Sequence, residues 1–296
     1  MNVSNNSIAI ASSCWKKWYW RYVERLEPKL KPINLTLGSV MHEAFDRFYK
    51  GTSKVDVLVF IVKSFDDELA QCSVNDAENM AIAKWTAVGM WSHYPHSLSE
   101  FEAVDTEIDF NVPLGRMRGV RLFGRVDKRF KHRGVWWLGE FKTTSNTSLF
   151  VKSLDTARQA TTYTYAAIKS GIEVEGVLYD LIRKPALRRR VEETVEDFGK
   201  RIIVDYRDRP NEYYSRHYAY RNRVQLQQFE DDTASIAREM RTRTRKNDFP
   251  RNVDSCWNYN RECDFKKICF KGKHEPTMSM CYQQKKEMIE NAETEA

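Results

Sequence analysis

The sequence contains few residues that interrupt regular structure and no long apolar stretch. Among its 296 residues are 12 glycines and 8 prolines, while 42% are hydrophobic and 12% aromatic. This composition excludes a disordered polar chain, a collagen-like fibre and a disulfide-stapled miniprotein. No segment approaches the roughly 18 apolar residues of a membrane span. Residues 1–17 lack the basic segment and apolar run of a signal peptide, so we expect a soluble cytoplasmic protein.

The net charge is positive and unevenly distributed. The 48 Lys and Arg exceed the 41 Asp and Glu, for a net charge of +7. Between Arg183 and Arg251 there are 18 basic and 12 acidic residues, so most of the excess lies in this part of the chain. A local basic excess favours a polyanionic partner, most simply nucleic acid, although it is also common on ordinary solvated surfaces.

Hydrophobic periodicity predicts a helix, a helical insert, three strands, a helix and a further strand, in that order. The predicted elements are a helix at residues 38–51, one or two helices at 55–93, strands at 101–112, 119–130 and 134–144, a helix at 157–170, a strand at 175–184 and a helix at 224–240. Asp155 or Thr156 is the expected N-cap of the helix at 157–170. Residues beyond 278 are expected to form a polar, frayed tail.

Two carboxylates and a lysine are expected to converge on the hairpin formed by the second and third strands. If Arg133 and Gly134 form a two-residue loop, Asp127 lies opposite Glu140, with Cβ atoms roughly 5 Å apart. Lys142 is two residues from Glu140 and therefore points to the same face of the sheet.

Carboxylates this close together repel each other, which makes the pair a suitable site for a divalent cation, Mg²⁺ or Mn²⁺. A bound cation lowers the pKa of a water ligand, and a neighbouring lysine can orient that water or stabilise charge on a phosphate. This chemistry is that of phosphodiester hydrolysis. The alternative is a solvent-facing cross-strand salt-bridge set without catalytic function.

Two further motifs accompany the hairpin in a fixed order. His42 lies on the first predicted helix, and Gln159 and Tyr163, four residues apart, share one face of the helix that follows the hairpin. In chain order the motifs are G-S-V-M-H (38–42), G-R-V-D (124–127), E-F-K (140–142) and Q-A-T-T-Y (159–163). Together they resemble the PD-(D/E)XK nuclease superfamily, specifically its RecB-like exonuclease branch, and the predicted element order fits that core.

The resemblance implies an α/β fold with a restriction-endonuclease-like core, in which a mixed central sheet is flanked by helices. It further implies that His42, Asp127 and Glu140 ligate the metal together with the backbone carbonyl of Phe141, that Lys142 is catalytic, and that Gln159 and Tyr163 position the DNA strand. Val126 stands where the superfamily name has proline, and the RecB-like branch accommodates this. An imidazole beside carboxylates also suits Mn²⁺, so we expect Mn²⁺ to support activity at least as well as Mg²⁺.

Three cysteines cluster near the C-terminus. Cys256, Cys263 and Cys269 are separated by six and five residues, and Cys14 is the natural fourth ligand. In a reducing cytosol these thiols favour a metal site over disulfides. Four thiolates can hold either zinc or a 4Fe-4S cluster, and short C-x2-C pairs are absent. The remaining thiols, Cys72 and Cys281, are expected to be free.

The cysteine pattern resembles the iron-sulfur site of AddB and CRISPR-associated RecB-like nucleases, with a wider first gap as in phage-type members. The resemblance therefore implies a 4Fe-4S cluster, with zinc as the alternative. Joining Cys14 to Cys269 closes a loop of about 255 residues, a constraint of roughly 5 kcal/mol. We expect a structural role for the cluster, with the aromatic residues from Trp15 to Tyr22 packed around it.

The sequence-based conclusion is a metal-dependent DNA exonuclease that acts on single strands or DNA ends in recombination, repair or phage DNA processing in a bacterial cell. An endonuclease or nickase, and a non-catalytic iron-sulfur or zinc DNA-binding protein, are the alternatives. No nucleotide-binding P-loop occurs, so a helicase or recombination partner would be a separate chain. Basic residues expected to follow DNA phosphates are Arg183, Lys184, Arg188, Arg189, Arg190, Arg241, Arg243, Arg245 and Lys246.

The expected organisation is a single nuclease domain over residues 1–277, followed by the tail at 278–296. Its predicted parts are a helical insert at about 52–98, a nuclease core at about 99–185, a basic helical region at about 186–250 and a cysteine-cluster segment at 251–272 joined to Cys14.

Overall fold

A computed structural model describes residues 1–95, 100–115, 117–258 and 261–285 of the chain. The chain forms two compact units: residues 1–2 with 32–230, and residues 3–31 with 231–296. We call them the sheet unit and the cysteine unit. The expected single domain over residues 1–277 therefore spans parts of both units, and it stays a prediction.

Helices and strands alternate through most of the described chain. The helices are α1 (Asn5–Ser13), α2 (Trp15–Trp18), α3 (Ile33–Tyr49), α4 (Lys54–Leu69), α5 (Val74–Ser92), α6 (Thr147–Lys152), α7 (Arg158–Lys169), α8 (Val195–Asp208), α9 (Pro210–Tyr213), α10 (Arg223–Lys246), α11 (Lys266–Lys271) and α12 (Glu275–Cys281). The strands are β1 (Asn2–Val3), β2 (Leu26–Pro28), β3 (Ala103–Pro113), β4 (Arg121–His132), β5 (Val135–Thr144), β6 (Val177–Arg183), β7 (Tyr214–Ala219), β8 (Trp257–Asn258), β9 (Arg261–Glu262) and β10 (Tyr282–Gln284). In the described residues, no helix is both long and apolar enough to cross a membrane.

The central sheet of the sheet unit is mixed. Its strands follow the order β3, β4, β5, β6, β7. The β3–β4, β4–β5 and β6–β7 pairs are antiparallel, whereas β5 and β6 run parallel. Parallel neighbours need a crossover, and α6 and α7 supply it. The predicted α/β class, a mixed sheet flanked by helices, is confirmed.

The β4–β5 hairpin has the predicted two-residue loop. Arg133 and Gly134 both have positive φ, 51° and 76°, as a tight turn between twisted antiparallel strands requires. The predicted register is confirmed from His132–Val135 to Lys128–Gly139, where the pairing ends. Asp127 therefore lies one residue beyond the last backbone pair.

Two apolar clusters pack on opposite faces of β5. Phe141 belongs to the larger cluster, with residues of α3, α4, α5 and α8, and its ring stacks on Phe45 at a centroid distance of 3.9 Å. Leu138 belongs to the second cluster, with Tyr163 of α7. Because odd and even residues of a strand face opposite sides, Glu140 points toward the α7 side.

Several boundaries differ from the sequence prediction. Helix α3 begins at Ile33, directly after Pro32, so Gly38 lies inside the helix rather than at its start. Proline is compatible with a helix start because it has no N–H group that needs an acceptor there. Helix α7 is capped by Ala157 without a side-chain bond, and Asp155 and Thr156 form a short 3-10 turn before it.

Part of the expected C-terminal tail is regular structure. Helix α12 runs to Cys281, and β10 pairs in antiparallel fashion with β2, from Tyr282–Pro28 to Gln284–Leu26. The expectation of a frayed tail from 278 is therefore wrong for residues 278–284, because residues 278–281 belong to a helix and strand β2 supplies the backbone partners of residues 282–284. Residues 286–296 lie outside the described residues.

A buried ion pair lies on the Phe141 side of the sheet. Lys128 and Asp180 are 0% and 2% exposed, and their Nζ and Oδ2 atoms are 2.9 Å apart. Arg216 binds the other carboxylate oxygen at 2.7 Å. Gly139 has no side chain at the point where the Lys128 chain passes, and a Cβ there would lie 2.4 Å from Lys128 Cε.

We expect Asp180→Asn to lower the free energy of unfolding by about 3–5 kcal/mol at pH 7, because it leaves Lys128 charged and buried. Burial alone would raise the pKa of Asp180, but Lys128 and Arg216 outweigh it and lower the pKa to about 2. The contribution is therefore present above the ordinary carboxyl pKa near 4 and is lost as pH falls toward 2. Urea unfolding between pH 7 and pH 3 measures the difference.

The matched control is Asp105→Asn, which removes an exposed ion pair with Arg129 on β4. Its expected cost is below about 1 kcal/mol, since surface pairs are weak. Equal effects of the two variants would contradict a special role for the buried pair.

Candidate metal centre

His42 faces the sheet from α3, which is amphipathic. Met41, Ala44 and Phe45 are buried in the larger apolar cluster, and the His42 side chain is 34% exposed. Its Nδ1 atom lies 3.1 Å from Oδ2 of Asp127. The helix that the apolar residues anchor thus brings the imidazole to the hairpin.

Asp127 lies where β4 separates from β5. The backbone N–H of Phe141 donates to Asp127 Oδ2 at 2.9 Å, so the carboxylate takes the place of a backbone acceptor in the next rung. The Asp127 side chain is 14% exposed. Two neighbours, one from β5 and one from α3, therefore fix its orientation.

Glu140 is 1% exposed and accepts hydrogen bonds from three side chains. Lys142 Nζ and Gln159 Nε2 donate to Oε1, the latter at 2.8 Å. Tyr163 Oη donates to Oε2 at 2.9 Å, and Gln159 Nε2 also bonds to Tyr163 Oη at 2.8 Å. The predicted Gln159–Tyr163 pair therefore contacts the carboxylate of Glu140 directly.

The three titratable groups shift one another. Burial lowers the pKa of His42, but the hydrogen bond and charge of Asp127 outweigh it and leave the pKa raised. Burial raises the pKa of Asp127, and His42 with the Phe141 amide reverse this to a lowered value. Burial raises the pKa of Glu140, and Asp127 adds to the rise while Lys142 opposes it. Of the two carboxylates, Glu140 is therefore the one whose ionised form the protein disfavours.

The arrangement fits a divalent cation. One ligand atom each from His42, Asp127 and Glu140 lies within 4.8 Å of the other two, and in the described residues this is the one such group of three or more. Carboxylate oxygens with an imidazole nitrogen suit Mn²⁺ and Mg²⁺. A cation would offset the effects of burial and of the Asp127 charge, which together raise the pKa of Glu140.

A cleft of about 890 Å³ opens at this group. His42, Asp127 and Lys142 line it, whereas Glu140, Gln159 and Tyr163 are not among its lining residues. Its other lining residues are Asn34, Leu35, Gly38, Ser39, Glu43, Asp46, Lys50, Glu107, Arg125, Thr143 and Lys184.

Glu107 and Arg125 are cleft residues that sequence reasoning missed. Arg125 Nη1 lies 3.0 Å from Glu107 Oε2, and its other nitrogens bind both oxygens of Asp109 at 2.6 and 2.9 Å. Burial raises the pKa of Glu107, as do the charges of Asp127 and Asp46, against the effect of Arg125. In the sequence, Asp105, Glu107 and Asp109 alternate as on a solvent-facing strand, so the sequence gives no sign that Glu107 lines the cleft.

The basic residues predicted to contact DNA differ in location and in their ion-pair partners. Lys184 lines the cleft, donates to Asn34 Oδ1 at 2.8 Å, and has a pKa lowered by burial. Arg183 is not among the lining residues, and its guanidinium lies 3.9 Å from Glu212. Arg189 is paired with Glu78. In the cysteine unit, Arg243 is paired with Glu239 and Asp248.

The four predicted cluster cysteines all lie in the cysteine unit. The indole N–H of Trp20 donates to Cys269 Sγ at 3.1 Å, and the backbone N–H of Asn252 donates to Cys14 Sγ at 3.4 Å. Cys263 N–H donates to the Cys256 carbonyl at 2.9 Å. Cys263, Cys269 and Cys281 pack against one apolar cluster built on Trp20, Leu26, Phe265, Ile268 and Tyr282. The aromatic residue Trp20 is thus next to the predicted ligands.

Comparison with known families identifies the superfamily of the chain. The family model of the PD-(D/E)XK nuclease superfamily matches residues 2–270. No curated protein is significantly similar to the chain. The match covers most of the sequence, so the chain belongs to the PD-(D/E)XK nuclease superfamily, whose members are hydrolases that use Mg²⁺ or Mn²⁺ and act on nucleic acid.

Proposed function

We propose that the protein is a divalent-metal-dependent deoxyribonuclease of the RecB-like branch, and an exonuclease that acts from DNA ends in recombination, repair or phage DNA processing. The observation that carries the proposal is the convergence of His42, Asp127 and Glu140, with Lys142 on the same strand face as Glu140. The superfamily match supports hydrolysis of DNA. The exonuclease assignment is based on the order of the four motifs.

His42, Asp127 and Glu140 are the proposed protein ligands of the cation, with the backbone carbonyl of Phe141. A bound Mg²⁺ or Mn²⁺ lowers the pKa of a water ligand and polarises the phosphate. The fold brings the proposed ligands together: α3 supplies the imidazole, and the Phe141 N–H holds the carboxylate of Asp127. A cation bound by both groups competes with the contact between His42 Nδ1 and Asp127 Oδ2.

Lys142 is the proposed catalytic residue. Its side chain is 30% exposed, lines the cleft and carries a charge that can orient the attacking water or stabilise negative charge on the phosphate. Gln159 and Tyr163 act at Glu140, because both donate to its carboxylate. We therefore propose that Gln159 and Tyr163 orient Glu140 as a metal ligand, in addition to the positioning of the DNA strand that the resemblance implies.

The DNA backbone is proposed to enter the cleft along Lys184. The Lys184 ammonium donates to Asn34, which lies on α3 as His42 does, and all three residues line the cleft. Basic side chains that neutralise phosphates supply most of the affinity of proteins for DNA. Arg183, next to Lys184 at the end of β6, is a second candidate contact.

A 4Fe-4S cluster on Cys14, Cys256, Cys263 and Cys269 is the proposed second cofactor, with zinc as the alternative. The N–H groups of Trp20 and Asn252 that donate to Cys269 and Cys14 support a thiolate-bound cofactor at these positions, because hydrogen bonds to sulfur stabilise such sites.

The deciding experiment compares Mg²⁺, Mn²⁺ and EDTA on end-labelled linear single-stranded and double-stranded DNA and on closed circular DNA. We expect cleavage of linear DNA with either metal, Mn²⁺ at least equal to Mg²⁺, and no cleavage with EDTA. Lys142→Met is the inactive variant, and Lys152→Met on α6, away from the cleft lining, is the matched control.

The other outcomes favour the alternatives. Cleavage of circles would favour an endonuclease or nickase. Metal-dependent DNA binding without any cleavage would favour the non-catalytic DNA-binding protein, or a reaction that needs a separate helicase or recombination protein. Mn²⁺ failing where Mg²⁺ works would contradict His42 as a ligand.

A further inference from the structure

Glu107 has an unusual backbone conformation inside a strand. Its φ is +51°, a left-handed value that side chains other than those of Gly, Asn and Asp rarely adopt. In the β3–β4 register, Thr106 pairs with Lys128 and Ile108 with Val126. The residue opposite Glu107 is therefore Asp127, and the backbone pairing is interrupted at this one position. Such outliers persist where the surroundings fix them, and they cluster at active sites.

The side chains of β4 change the face of the sheet to which they point at the same position. Lys128 lies on the Phe141 side, with its Nζ 4.4 Å from the centre of that ring. Val126 is two residues away and would share that side in a regular strand. It packs instead in the cluster that contains Leu138 and Tyr163, on the opposite face of β5.

The same shift occurs in β3. Val104 packs against Phe130 in the cluster that contains Trp137, whereas Phe110 packs in the cluster of Tyr163. The two residues are six apart and would share one face of a regular strand. Both strands therefore turn at Glu107 and Asp127, which is where β4 leaves β5 and where the Phe141 N–H bonds to the Asp127 side chain.

The Glu107 side chain adds a contact at this change of face. Its carboxylate is bound by Arg125, whose guanidinium is itself fixed by Asp109. Arg125 and Asp109 are a paired position of the β3–β4 ladder. The bond therefore ties the distorted residue to the second paired rung on its C-terminal side.

We propose that Glu107 is a positioning residue for the metal centre: its left-handed backbone redirects β4 so that the Asp127 carboxylate meets His42 and the Phe141 N–H, and the bond to Arg125 makes a smaller contribution. The role rests on the proposed function, because it acts through Asp127 as a cation ligand. Glu107 itself needs no contact with the cation or the DNA.

The test compares three substitutions at residue 107 in the full chain. Glu107→Gly keeps the left-handed conformation available and removes the carboxylate, whereas Glu107→Val favours the regular extended strand. Glu107→Ala is a milder version of the second. Thr106→Val, at the adjacent paired position, is the matched control. Mn²⁺ binding by calorimetry, kcat and KM on linear DNA, and thermal unfolding in EDTA are measured for each.

We expect Glu107→Val to weaken Mn²⁺ binding 10- to 100-fold and to lower kcat, with KM within about threefold, since positioning groups typically have effects of this size. Glu107→Ala should show a smaller loss in the same direction. Glu107→Gly should bind Mn²⁺ within about fivefold of the wild type, and Thr106→Val should not differ from it. If Glu107→Val does not fold, the Mn²⁺ affinities of Glu107→Ala and Glu107→Gly are compared instead.

Two results overturn the inference. The first is Mn²⁺ binding by folded Glu107→Val or Glu107→Ala that equals the wild type. The second is a loss in Glu107→Gly as large as in the other variants, which would assign the effect to the carboxylate instead of the backbone. Absence of Mn²⁺ binding by the wild type would overturn the proposed function as well, so the two failures are distinguishable.

Discussion

Glu140→Gln is expected to abolish metal-dependent DNA cleavage, by about 1,000-fold or more, while the fold is retained or stabilised. The substitution keeps the shape of a side chain that accepts bonds from Lys142, Gln159 and Tyr163 but removes the charge that binds the cation. Losing one such electrostatic contact to the reacting centre typically costs a factor of 100 to 1,000, and a metal ligand has a larger role than a single donor.

The stability effect has the opposite sign to the activity effect. Burial raises the pKa of Glu140, so its negative charge opposes folding of the metal-free protein. Removing the charge should leave the free energy of unfolding unchanged or raise it by up to about 2 kcal/mol. The difference should shrink as pH falls through the raised pKa, where the wild-type carboxyl becomes neutral.

The measurements are single-turnover cleavage of linear DNA with Mn²⁺ and urea unfolding in EDTA. Glu43→Gln is the matched control, because Glu43 lines the same cleft but is exposed and paired with Arg47 on α3. It should cleave DNA within about threefold of the wild type. Full activity of Glu140→Gln, or a marked loss of stability, would contradict the assignment of Glu140 as a buried metal ligand.

Cys14→Ala is expected to remove the brown colour and most of the bound iron and to leave much of the protein insoluble. Cys14 lies 242 residues before Cys256 in the sequence, so it provides the long-range link of the proposed cluster. Without it, the loop constraint of roughly 5 kcal/mol is lost, which is comparable to the whole stability of many domains.

Iron and sulfide content, visible absorbance and the soluble fraction check this expectation after anaerobic purification. Cys72→Ala is the control, since Cys72 belongs to the sheet unit and packs beside its large apolar cluster. It should stay coloured and soluble. A soluble, coloured Cys14→Ala protein would rule out Cys14 as a ligand, and bound zinc with no iron in the wild type would replace the iron-sulfur proposal.

The features that local chemistry determines were predictable from the sequence. A turn of Arg133 and Gly134 between alternating apolar strands fixes the hairpin register, and the register brings Asp127 to the end of the ladder near Glu140. The four-residue spacing of Gln159 and Tyr163, close to one helical turn, places both on one helix face, and both reach the same carboxylate.

What depends on distant partners was not predictable. Strand β7 lies in the charged region after residue 185, is half polar and depends on its pairing with β6, whereas the apolar Phe198, Ile202 and Tyr206 of α8 follow helical spacing and predict that helix. Lys128 looks like a surface lysine until Asp180, 52 residues later, is known to be its partner. The left-handed Glu107 has no local signal, because its acidic neighbours alternate regularly.

The division of the chain into units sets an order of folding during synthesis. Residues 32–230 are one continuous segment and hold almost all of the sheet unit, so this unit can fold as soon as they have left the ribosome. Residues 3–31 belong to the cysteine unit, whose other part starts at residue 231. At about 5–20 residues per second, the N-terminal segment waits roughly 10–50 seconds for its partner. During that interval Trp20 and Leu26 lack their later partners Phe265, Ile268 and Tyr282, so their apolar surface is exposed to aggregation.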